Sequence, residues 1–127
     1  MARILIAEDE EAIRSLIARA LRQDGHEVMT ANDGAQALDV LGREQGAFEL
    51  LLSDIRMPVM DGIALAHAAA RRHPAVTILL MTGYADQRER AQGLDALIHD
   101  VIAKPFSLGT MRRAVSDALR APPRAGS

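Results

Sequence analysis

The chain has 127 residues, 49% hydrophobic and 25% charged, with 15 basic against 17 acidic side chains and a formal net charge of -2. That length fits one domain with a core of its own, and the near-neutral balance excludes a general electrostatic pull toward nucleic acid. The absence of cysteine excludes disulfides, thiolate chemistry and Cys-ligated metals, and the leading apolar stretch Ile4-Leu5-Ile6-Ala7 is too short for a signal peptide or a membrane span, so a cytoplasmic protein is expected.

The first apolar run, Ile4 to Ala7, predicts a strand. Glu11 to Asp24 predicts a helix, with Ile13, Leu16, Ile17, Ala20 and Leu21 as its inward stripe and Gly25 as its stop. Glu27 to Ala31 is a second strand. Asn32-Asp33-Gly34 is a turn and cap before a helix carrying Ala37, Leu38 and Leu41. Phe48 to Ser53, with Leu50-Leu51-Leu52 unbroken, is a third strand. Asp61 caps a helix to His73 that turns Ile63, Ala66 and Ala70 inward, and Pro74 ends it. Val76 to Met81 is a fourth strand, Asp86 to Leu94 a weaker and more polar helix, and Ile98 to Ala103 a fifth strand. Ser107 caps the last helix, whose stripe is Leu108, Met111, Val115, Ala118 and Leu119. The tail from Pro122 to Ser127 is expected to be disordered, leaving one domain over residues 1–121.

Five βα units with continuous apolar strands predict an α/β fold: a doubly wound (βα)5 domain around a five-stranded parallel sheet covered on both faces. In such sheets function gathers at the carboxyl ends of the strands. Glu8 and Asp9 follow the first strand, Asp54 the third, Thr82-Gly83 the fourth and Lys104-Pro105 the fifth. Lys104 is also the sole lysine among 15 basic residues, the other 14 being Arg. A compact ammonium meets a single anion where a guanidinium fork would not fit.

Three carboxylates that converge repel one another unless a cation joins them, and a hard oxygen site with open water positions suits Mg²⁺. A carboxylate can attack a phosphoryl group to give an aspartyl phosphate, with Mg²⁺, Lys104 and Thr82 placed to neutralise or bond the transferred oxygens. Neither Gly-x-x-x-x-Gly-Lys nor Gly-x-Gly-x-x-Gly occurs, so the site is not built to cradle a nucleotide. Each residue alone has an ordinary explanation as a cap, turn or solvated acid; the ordered set does not.

The set Ala7-Glu8-Asp9-Glu10, Ser53-Asp54-Ile55-Arg56-Met57-Pro58 with Met60-Asp61-Gly62, Met81-Thr82-Gly83-Tyr84 and Lys104-Pro105-Phe106 resembles the receiver domain of two-component response regulators (CheY-like, flavodoxin-like fold), over residues 3 to about 120. The resemblance implies strand order 2-1-3-4-5. It also implies phosphoryl transfer to Asp54 from a histidine kinase or histidine phosphotransferase. Mg²⁺ would be held by Glu8 (through water), Asp9, Asp54 and the backbone carbonyl of Arg56, and the phosphoryl group would be held by Thr82 and Lys104. The Lys104-Pro105 bond is expected to be cis. Where the family often has Tyr or Phe, three residues before the lysine, this chain has Val101, so the usual threonine-to-aromatic switch lacks one half. Val101, Thr82-Gly83-Tyr84 and the lack of an output domain resemble single-domain receivers of the CpdR type, which implies a phosphorylation-controlled adaptor for a Clp-family protease.

Arg56 and Tyr84, two residues beyond Asp54 and Thr82, are expected to flank the path of attacking water and slow loss of the phosphoryl group. Arg88, Arg90, Arg112 and Arg113 put positive charge on the fourth and fifth helices. With no interleaved aromatics or helix-turn-helix they read as a protein-docking face together with the fifth strand, or as ordinary solvated surface. His26, His67, His73 and His99 share no metal-ligand spacing and read as surface or satisfied histidines. Two alternatives stand beside the stand-alone receiver. One is a receiver portion of a longer regulator. The other is a Mg²⁺-dependent phosphohydrolase, against which the second acid such enzymes carry two residues on is here Arg56.

Overall fold

The computed structural model describes residues 1–83, 91 and 93–121. In chain order it holds β1 (Arg3–Ala7), α1 (Glu11–Gln23), β2 (Glu27–Ala31), α2 (Gly34–Arg43), β3 (Leu50–Asp54), α3 (Gly62–Arg72), β4 (Thr77–Thr82), β5 (Asp100–Ala103) and a last helix, α4 (Leu108–Arg120). The strands form one sheet in the order β2-β1-β3-β4-β5, parallel throughout. The expected helix over 86–94 falls largely outside the described residues, as does the tail from Pro122. Ala91 and Leu94 are described, and both are buried.

The period-2 alternation of the strands sorts their side chains onto two cores. Leu5, Leu51, Ile78 and Leu80 face one way and pack with Ala37, Val40 and Leu41 of α2 and Leu65, Ala66 and Ala69 of α3. Ile4, Ile6, Leu50, Leu52, Leu79 and Met81 face the other way, against Ile17, Ala20 and Leu21 of α1 and Met111, Val115 and Ala118 of α4. Because both faces are covered, the strands can be apolar without a break. Each leucine of the Leu50–Leu52 run is fully buried, worth roughly 1.5–3 kcal/mol apiece.

The helix starts follow the short polar residues. Asp33 accepts from the Gln36 N–H, Asp61 from the Ala64 N–H and Ser107 from the Thr110 N–H, each satisfying a donor that the helix leaves over. Glu10, at the head of α1, makes no such side-chain bond. There Arg14 reaches back instead, donating to the Glu8 carbonyl at 2.9 Å.

Two expectations for the helix faces change. Leu16, placed on the inward stripe of α1, is 52% exposed; Ala18 takes the buried position, because the neighbouring sheet covers that side of the helix and leaves Leu16 at the rim of a groove. In α3 Ala66 is fully buried as expected, together with Leu65 and Ala69, while Ile63 and Ala70 are only half-buried against the same core.

Candidate functional site

The chain runs from β1 outward to β2 and then returns to β3 on the other side of β1, so the strand order reverses between β1 and β3. A crevice opens at such a reversal. The register pairs Ala7 with Ser53 and Asp54 with Met81, which brings Glu8, the residue after Ala7, level with Asp54, the last of β3. On the far side Thr82 pairs with Ala103 and its carbonyl accepts from the Lys104 N–H at 2.7 Å. Glu8, Asp54 and Thr82 are buried and Asp9 is exposed.

Carboxylate oxygens of Glu8, Asp9 and Asp54 lie within 4.8 Å of one another. Lys104 enters from the end of β5, its Nζ donating to Glu8 Oε1 at 2.8 Å and to Asp54 Oδ2 at 3.1 Å. The second oxygen of Glu8 accepts from the Glu10 N–H at 3.1 Å. Burial pushes the Glu8 carboxyl up from 4.5 to about 7; the Lys104 hydrogen bond and the Glu10 N–H oppose this, and the negative charge of Asp54 adds to it. Burial also disfavours the Lys104 ammonium, but its hydrogen bond to Glu8 and the charges of Asp54 and Glu8 outweigh that and hold its pKa above the ordinary lysine value. The two shifts pull opposite ways, one toward a neutral acid and one toward a charged partner. Near neutral pH the ammonium persists and Glu8 is the member that titrates. An all-oxygen set of three convergent carboxylates, one of them exposed, has the chemistry of a small hard divalent cation such as Mg²⁺.

The loop after Asp54 is fixed by two close approaches. A Cβ on Gly62 would stand 2.2 Å from the Asp54 carbonyl oxygen, and the Gly62 N–H donates to the Ile55 carbonyl at 2.7 Å. A Cβ on Gly34 would stand 2.3 Å from the Met60 carbonyl oxygen, to which the Gly34 N–H donates at 3.1 Å. Only glycine lets the starts of α2 and α3 close on this loop.

Beside the carboxylates lies a groove of about 690 Å³. Asp9, Asp54, Arg56 and Lys104 form its polar end, and Ile13, Leu16, Ile17, Phe106 and Leu108 its apolar wall. The structure thus gathers Glu8, Asp9, Asp54 and Lys104 in direct contact range and sets Thr82 on the adjoining strand end. Arg56 is exposed on the same groove, and the Lys104-Pro105 bond is cis. Tyr84, Arg88 and Arg90 lie outside the described residues. Val101 is half-buried against the α2–α3 core. His67 and His99 are exposed; His26 and His73 are half-buried, with His26 Nδ1 accepting from the Ala2 N–H. The apolar wall was not legible beforehand, since Ile13, Leu16 and Ile17 come from α1, and Phe106 and Leu108 from the entry to α4, far along the chain. The exposed Leu16 is the one signal on a single helix, and it shows only once the packing is known.

Residues 4–116 match the model of the response regulator receiver domain. The chain is 33% identical over 118 residues, 93% of its length, to the response regulator MprA of Mycobacterium leprae. It spans about half or less of the length of the curated relatives it matches. The receiver domain of the hybrid histidine kinase CckA superposes with a TM-score of 0.79 at 33% identity, covering 93% of this chain and 99% of that one. TrrA of Thermotoga maritima, a response regulator solved with Mg²⁺-BeF, gives 0.81 at 28% identity, covering 93% and 99%. With the five-stranded order, the acid cluster at the strand reversal and a family match over nearly its whole length, the chain belongs to the receiver domains of two-component response regulators, signalling modules that generally bind Mg²⁺ at such an acidic pocket.

Proposed function

We propose that Asp54 of this chain accepts a phosphoryl group from the phosphohistidine of a histidine kinase or histidine phosphotransferase. An Asp54 carboxylate oxygen attacks phosphorus. The O–P bond forms as the P–N bond breaks, and the electron pair leaves with the imidazole nitrogen, which takes a proton from solvent. Glu8, Asp9, Asp54 and the Arg56 carbonyl would hold Mg²⁺, which when bound offsets the negative charge of the carboxylates and the phosphoryl oxygens. Lys104 shifts from its carboxylates to a phosphoryl oxygen, and the Thr82 hydroxyl donates to another. The observation that carries this reading is the Lys104 ammonium bridging Glu8 and Asp54 at 2.8 and 3.1 Å beside a third carboxylate.

The apolar wall of Ile13, Leu16, Phe106 and Leu108 supports docking of an apolar surface of the donor next to Asp54. The added charge, about -1.5 to -2, biases the loops around Thr82 and Lys104 between two arrangements. A protein partner reads the outcome on β5, α4 and the segment before β5, in the cytoplasm; an adaptor role toward a Clp-family protease is the specific form of that output. Pull-downs comparing Asp54→Ala with beryllofluoride-treated protein test it: a partner retained in only one state supports the switch, and one indifferent to both sinks it. Phosphate release separates the switch from a hydrolase. With acetyl phosphate and Mg²⁺, one phosphoryl group per chain is expected, whereas many turnovers per chain would mark an enzyme.

A further inference from the structure

Val59 stands at φ 69°, and the Met60 N–H donates to the Pro58 carbonyl at 2.7 Å across it, a three-residue γ-turn of the strained, positive-φ kind. A β-branched residue is a poor occupant of that region; glycine or asparagine adopts it at far less cost. Packing does not compensate, because Val59 is 85% exposed. It is the most exposed large apolar side chain of the described residues apart from the N-terminal Met1. Neither the local backbone nor the core accounts for valine here, so an apolar group at this point serves something outside the chain.

The position is also referenced to the phosphorylation site. Its loop leaves Asp54 directly, is closed on the Asp54 and Ile55 backbone by Gly62, and is held at Met60 by the Gly34 N–H. A partner that seats Val59 is therefore brought into register with Asp54. That is the requirement on a protein that must deliver a phosphorylated side chain in line. We propose that Val59 is a specificity-determining contact for the phosphohistidine-bearing donor, an apolar knob kept against the local backbone preference. The proposal rests on the phospho-acceptor reading of Asp54.

The test measures phosphoryl transfer to wild type, Val59→Asn, Val59→Gly and Val59→Ile from the purified histidine kinase or phosphotransferase that labels wild type fastest, with acetyl phosphate run in parallel. The asparagine and glycine variants are expected to lose about tenfold in kcat/KM with the protein donor, equivalent to about 1.4 kcal/mol. They should keep wild-type labelling by acetyl phosphate and melt a few degrees higher, while Val59→Ile retains transfer. Full transfer from the protein donor to Val59→Asn and Val59→Gly would overturn the proposal, as would an equal loss with acetyl phosphate, since the effect would then lie in the chemistry and not in recognition. Failure of wild type to label from either donor would instead bring down the phospho-acceptor reading, and this inference with it.

Discussion

Lys104 bonds two carboxylates at once, one of them, Glu8, without solvent exposure. Removing the ammonium leaves both acids without their counter-charge, and the loss of one partner from a buried pair is far more costly than the pair is worth. Lys104→Met should therefore destabilise the Mg²⁺-free protein by about 3 kcal/mol near neutral pH, read by urea denaturation. The loss should shrink in mild acid, where Glu8 takes up a proton and no longer needs a cation. An equal loss at about pH 5 and about pH 8 would mean that the side chain acts through packing alone. Lys104→Arg keeps the charge but not the compact head, so it should fold yet switch poorly, seen as weakened discrimination by a partner between phosphorylated and unphosphorylated protein.

At the scale of elements, the site depends on where helices begin. Gly62 opens α3 against the Asp54 carbonyl, and the methyl of Gly62→Ala would meet backbone that has nowhere to go. That variant should lose about 2 kcal/mol or more and label more slowly from acetyl phosphate. Unchanged stability would show that the close approach relaxes freely. Much of this level was legible in the sequence. Gly25, Asp33, Asp61 and Ser107 act as stops and caps by local hydrogen bonding or backbone freedom, so β2 and the head of α3 fall where those residues put them. The strand-end acids, Thr82 and Lys104 could be placed because strand ends are set by the same punctuation. What could not be read depends on contacts between distant segments. The exposure of Leu16, the groove it shares with Phe106 and Leu108, and the steric reason for Gly34 and Gly62 exist only once helices are docked on the sheet. Val59 is opposite in kind: its residue type argues against the backbone it adopts.

For the molecule as a whole, the acid cluster makes stability depend on pH and on metal. The Glu8 carboxyl is raised from 4.5 to about 7 in the fold, so between those values the native state binds more protons than the unfolded chain. Without Mg²⁺ this group's contribution is largest below about pH 4.5 and declines as pH rises to about 7, by up to about 3 kcal/mol. Glu8→Gln should flatten that part of the profile. Saturating Mg²⁺ should reverse it, because the ion binds the carboxylate form and stabilises the native state increasingly as the proton leaves. Thermal melts across this range, with and without Mg²⁺, check both signs. The same cluster has to work for the central claim, that Asp54 is the acceptor and its neighbours hold the cation. The most direct measurement is the intact mass of the chain after incubation with acetyl phosphate and Mg²⁺, followed by mapping of the modified residue. A single added phosphoryl group on Asp54 is predicted, lost in Asp54→Asn and in the presence of a chelator. Modification that persists in either case, or that maps to another residue, would contradict it.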